Sequence, residues 1–159
     1  MGAMRMWMNV LVALQAFHVA FLLLHDWVPL GRLNDVQAVR AENPGGRLLR
    51  TTLVSASAYL VGLAATAFYF YSSGRFPDWV RWWLWISYGL LFYGELNAWW
   101  IPYFTGAKPE RVERYKKMFG GTHAFLAEKN GIRPNTLHAI LHVATLATLI
   151  VLGVIAARH

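Results

Sequence analysis

Three stretches of this chain, 7–25, 51–73 and 135–157, contain no Lys, Arg, Asp or Glu, and a fourth, 82–101, contains only Glu95. Each has about the ~20 residues that a helix needs to cross ~30 Å of hydrocarbon at ~1.5 Å per residue. A soluble helix would break such runs with a charged face every turn or two. The pattern predicts an all-α integral membrane protein: a four-transmembrane-helix bundle in one membrane domain, 1–159, with spans at about 7–28, 51–72, 79–102 and 135–157. Only 14% of the residues are charged, where a soluble domain carries nearer ~25%. There is no cysteine, which removes disulfides, thiolate ligands and thiol nucleophiles. The first span lacks a small-x-small site after its apolar core and runs on to His25-Asp26-Trp27, so it reads as a retained helix and not as a cleaved leader.

The formal charge of +7 is placed by topology. Arg5, Arg75, Arg81 and Arg158 accompany the termini and the short second loop, and the other eleven Lys and Arg fall in the first and third loops. The positive-inside rule then puts loops 1 and 3 in the cytoplasm and both termini outside, in the plasma (inner) membrane. The basic loops suit anionic lipid headgroups. They lack the interleaved aromatics of a nucleic-acid platform, so no nucleic-acid partner is expected. Trp7, Trp79, Trp82, Trp83, Trp99 and Trp100 lie near span ends, where indoles favour the headgroup layer. Short interfacial helices are expected in loop 1, about 34–42 with Asn34 as cap, and in loop 3, about 109–129. In the latter, Val112, Tyr115 and Phe119 share a face, and Thr122–Lys129 forms a further turn or two closed by Asn130-Gly131. Pro134-Asn135 caps the last span. No helix broken by Gly or Pro in the transporter manner is expected.

Helical spacing gives each span one polar stripe: Gln15, His18 and His25; Thr52, Ser55, Tyr59, Gly62 and Thr66; Tyr88 and Glu95, with Trp99 beyond; Asn135, His138, His142 and Thr145. Polar atoms in hydrocarbon must find partners on other helices, so the stripes should converge. With each span centred, His18 lies near the midplane, and His25, Glu95 and His142 lie roughly 6–11 Å towards the cytoplasm at ~1.5 Å per residue. Asp26 is turned from His25 by ~100°, which leaves its role open.

Imidazole and carboxylate side chains inside a membrane are costly and mark function. Together they suit a divalent transition metal, Zn or Fe, with His25, Glu95, His138 and His142 as ligands, the His138-x-x-x-His142 spacing bringing two imidazoles onto one face. Such a site would act on a lipophilic substrate, with Ser55 and Tyr59 hydroxyls nearby. Haem ranks lower, because Glu95 fits poorly beside a porphyrin. It would take His18 or His25 opposite His138 or His142, with Arg47, Arg50 or Arg133 at the propionates. Two other readings stand beside these. One is a proton-coupled transporter or proton relay through His18, His25, Glu95 and His138. The other is an accessory subunit, in a homo-oligomer or larger membrane assembly, suggested by the aromatic surface. A Glu95–His pair acting only as packing glue is the plain alternative. No GxSxG motif, phosphate-binding Gly loop or paired-carboxylate arrangement is present.

Overall fold

The computed structural model describes residues 2–74 and 76–158, and the described residues are helical apart from loops and one isolated β-bridge. Arg75, counted above with the second loop, lies outside the described residues. The long elements are α1 (Gly2–Leu24), α3 (Arg47–Ser73), α4 (Asp78–Glu95) and α7 (Thr136–Ala156). A short α2 (Val36–Ala41) lies in the first loop, and α6 (Pro109–Phe119) lies in the third. Three helices, α1, α3 and α7, are long and apolar enough to cross a membrane. The 18 residues of α4 contain Asp78, Arg81 and Glu95, and the first two of these form an ion pair in the first turn.

After Glu95 the chain does not leave the helix. It passes through a π turn, Leu96–Trp100, into α5 (Ile101–Thr105), so helical backbone runs from Asp78 to Thr105. At ~1.5 Å per residue that is about 42 Å. The cause of the π turn is Pro102. Lacking an N–H, it cannot serve a carbonyl in the preceding turn, and its ring crowds that turn. The third long helix is therefore continuous, with one π turn in it. The released carbonyls are taken up by α6: Arg111 Nη1 donates to Asn97 O at 3.1 Å and Tyr115 Oη donates to Ala98 O at 3.0 Å. Burial pushes the Tyr115 phenol up against the pull of Arg111 and Arg114, which keeps its hydroxyl a donor.

α1 packs on α3 and α7, and α4 packs on α7 and α3. Met8, Leu11, Val80, Leu84, Leu152 and Ile155 fill one end of the core, each no more than 2% exposed. Gly62 lets α3 and α4 close, since a Cβ there would stand 2.9 Å from Leu84 Cδ2. The outward faces are apolar as well, with Val54, Phe68, Leu90 and Val143 each 65–69% exposed.

The loops depart from expectation in two places. Asp35, not Asn34, caps α2 by accepting from Ala38 N. Asn34 instead ties the chain after α1 into a turn: Nδ2 donates to His25 O and to Val28 O at 2.8 Å, and Oδ1 accepts from Leu30 N at 2.7 Å. Asn34→Ala is expected to cost about 2–3 kcal/mol, at ~1 kcal/mol per lost bond, read as a lower thermal midpoint in detergent. The segment 122–129 forms no helix. Lys129 and Ile132 exchange backbone hydrogen bonds at 3.0 Å around Asn130 and Gly131, both with positive φ, so this is a two-residue hairpin turn. The loop-1 and loop-3 elements meet through Val39, Leu48 and Met118, with Trp27, Tyr115 and Phe119 around them.

Candidate functional site

The four polar stripes do converge, and the convergence centres on Thr145. Gln15, His18, Thr66 and Thr145 are 0% exposed, His142 is 4% and Glu95 is 5%. Thr145 Oγ1 lies 2.7 Å from Glu95 Oε1, 3.0 Å from Leu141 O and 3.1 Å from His18 Nε2. A carboxyl from α4, a hydroxyl from α7 and an imidazole from α1 are thus joined in series. One turn away, Gln15 Nε2 donates to Thr66 Oγ1 at 3.1 Å, and Thr66 donates on to Gly62 O. The His18 ring meets Tyr88 edge-on at 4.9 Å, and Tyr88 meets Tyr59 at 5.2 Å. Tyr59 Oη donates to Ser87 O.

Among the described residues, three buried polar atoms around this network have no partner: Gln15 Oε1, Tyr88 Oη and Glu95 Oε2. A buried polar atom left unpaired costs on the order of 1–3 kcal/mol, so such groups ask for a function.

The other histidines continue towards the loops. His25 stands 5.8 Å from His138, and His138 stands 6.4 Å from His142, between ring centroids. His138 is boxed by Trp99 at 4.8 Å, Phe119 at 5.1 Å and Phe21 at 6.4 Å. His25 Nε2 lies 3.2 Å from Asp26 Oδ2, which gives Asp26 its place.

Partners fix which ring nitrogen carries the proton. A carbonyl oxygen only accepts, so Nδ1 of His18 donates to Leu14 O, Nδ1 of His25 donates to Phe21 O, and Nδ1 of His138 donates to the Asn135 amide oxygen. His142 is opposite, because its Nδ1 accepts from the Trp100 indole N–H at 3.0 Å. Neutral His142 then carries its proton on Nε2, whereas metal-bound histidines present a bare nitrogen and donate the other.

The expected ligand set His25, Glu95, His138 and His142 is not gathered as such. Among the described residues no group of three or more His, Asp or Glu side chains is close enough to hold a metal ion. The physical reason is that Glu95 turns to Thr145 and His142 turns to Trp100. Of the residues expected at haem propionates, Arg50 is exposed near the start of α3, and Arg133 donates to Gly120 O and Thr122 O, closing loop 3.

Sequence reasoning found the stripes but missed how they connect. Thr145 stood at the end of one stripe as an ordinary polar residue, and its role depends on three elements at once. Trp100, expected near a span end, is half-buried and donates its indole N–H to His142, a contact that span position alone does not reveal. Comparison with protein-family models, with curated proteins and with solved structures finds no match to this chain.

Proposed function

We propose that this chain is a four-span integral membrane protein whose interior carries a proton relay centred on Glu95, Thr145 and His18. The observation that carries the reading is the series of hydrogen bonds from carboxyl to hydroxyl to imidazole, contributed by three helices and sealed in the core.

Such a series has two proton arrangements. In one, the Glu95 carboxyl O–H donates to Thr145 Oγ1, and the Thr145 hydroxyl donates to His18 Nε2. In the other, the Glu95 proton has moved to Thr145 and the Thr145 proton to His18. The carboxylate then accepts from Thr145, and the imidazolium donates to it. Two protons shift, no atom is gained or lost, and the sum of formal charges stays zero. That neutrality suits a low-dielectric interior, where an unpaired charge is costly. Glu95 Oε2, Tyr88 Oη and Gln15 Oε1 offer places where water would enter the series. Towards the loops, Asp26, His25, His138 and His142 follow one another as further proton-binding groups.

Four spans follow if the helix from Asp78 to Thr105 crosses with the other three, and the exposed apolar side chains support lipid contact on all of them. Charge placement orients loops 1 and 3 to the cytoplasm, with the termini outside.

The test is proton movement in proteoliposomes under an imposed pH gradient. Glu95→Gln removes the transferable proton and keeps the shape, so movement is expected to fall to the lipid background. Movement unchanged in Glu95→Gln would overturn the relay.

A further inference from the structure

Two recesses adjoin on the outside of α4. Arg111 and Arg114, one turn apart on α6, line a cavity of about 530 Å³ whose wall on the other side is Gly94, Asn97 and Ala98. Each guanidinium uses one N–H within the fold, Arg111 to Asn97 O and Arg114 to Asn43 Oδ1, which leaves further donors on both. Gly94 has open space where a side chain would stand. Four residues back on the same face is Leu90, about 6 Å along the helix, and Ile86 follows after another turn. Leu90 and Ile86 line a groove of about 370 Å³ between α3 and α4, walled by Ala58, Tyr59 and Trp83. A basic recess and an apolar groove therefore share one helix face, with only a glycine between them.

We propose that this face is a binding site for one anionic phospholipid of the surrounding bilayer, its phosphate at Arg111 and Arg114 and an acyl chain passing Gly94 into the α3–α4 groove. The charge complementarity is that of guanidinium for phosphate. Glu110 also lines this cavity and opposes the anion. The assignment rests on the four-span reading, which puts α4 in the bilayer, but not on the relay: it uses the outer face of α4, and the relay uses the inner one.

The experiment is native mass spectrometry of the full chain in mild detergent, titrated with dioleoyl phosphatidylglycerol and, separately, with dioleoyl phosphatidylcholine. The wild type is expected to prefer the anionic lipid by roughly 30-fold, about fivefold per arginine. Arg111→Gln with Arg114→Gln removes the preference, and Glu110→Gln strengthens it. At Gly94 an added Cβ has no atom within 4 Å, so Gly94→Leu should not lower the thermal midpoint, while its side chain blocks the lipid chain and weakens phosphatidylglycerol binding about tenfold. It also carries the test if the double arginine variant fails to fold. Equal binding of the two lipids to the wild type, a preference that survives in the double variant, or full affinity in Gly94→Leu would each overturn the site. So would competition by free glycerol phosphate at the concentration where the lipid binds, because the proposed ligand is held by its chain as well as its head.

Discussion

Thr145→Val is expected to be among the most disruptive single substitutions in the core, although it changes only a hydroxyl to a methyl. The valine fills the same space, so no cavity term arises. What is lost is the junction: Glu95 Oε1 and His18 Nε2, which now meet at Thr145 Oγ1, are both left facing a methyl group. Each orphaned buried group costs on the order of 1–3 kcal/mol. Polar groups of helices separated within a bilayer find other partners, which reduces the difference between folded and unfolded states. The expected loss is about 2–3 kcal/mol, measured by reversible unfolding in mixed micelles followed by circular dichroism. Thr145→Ser keeps the hydroxyl and should recover most of it. In a double-mutant cycle with Glu95→Gln, the two losses should fall short of additivity by about 1 kcal/mol. Equal destabilisation by valine and serine, or strict additivity, would show that Thr145 is a packing residue. The same variant separates stability from function, since proton movement should fall in Thr145→Val even at temperatures where the fold persists.

Asn135→Ala is expected to be comparably costly, for a different reason. Asn135 is 1% exposed, and its amide oxygen accepts twice, from the His138 backbone N–H at 2.9 Å and from His138 Nδ1 at 2.7 Å. Losing the helix cap costs about 1 kcal/mol. Leaving the imidazole N–H without an acceptor inside its aromatic box adds on the order of 1–3 kcal/mol. The sum, about 2–4 kcal/mol, exceeds an ordinary cap deletion. Asn135→Asp keeps the acceptor and should lose much less. If alanine and aspartate behave alike in the same unfolding assay, the His138 contact contributes nothing.

Much of the fold was legible because long apolar helices declare themselves by the absence of charge. The three apolar helices lie where charge-free runs predict them, with ends shifted by a few residues. α1 begins at Gly2, and α3 begins at Arg47 because the turn Asn43-Pro44-Gly45-Gly46 ends just before it. The stripe logic also held for Gln15, His18, Glu95, His142 and Thr145, all of which are buried. Connectivity was not legible. Period and depth say that Glu95 and His142 share a slab, yet whether they share a ligand depends on side-chain direction. Trp100 and Thr145 decide that direction through contacts 42 and 50 residues apart in sequence. Asn130-Gly131 carries a turn signal that fits a helix stop as well as a hairpin, and the pairing of Lys129 with Ile132 makes it a hairpin turn.

The π turn at Leu96–Trp100 has a consequence for how the interior is keyed. In an undisturbed α-helix neighbouring residues point about 100° apart, so adjacent tryptophans cannot both face the same partner helix squarely. Here Trp99 lies against His138 and Trp100 reaches His142, two residues of one α7 face. One residue too many in the turn acts as a phase adapter. The segment before it is indexed to the Glu95–Thr145–His18 series, and the segment after it is indexed to the histidines nearer the loops. The two halves of the third long helix can therefore vary in sequence independently, provided the count of residues between Glu95 and Pro102 is kept. Shortening that interval by a single residue would rotate one half against the other and set Glu95 and the tryptophans in competition for the same face of α7.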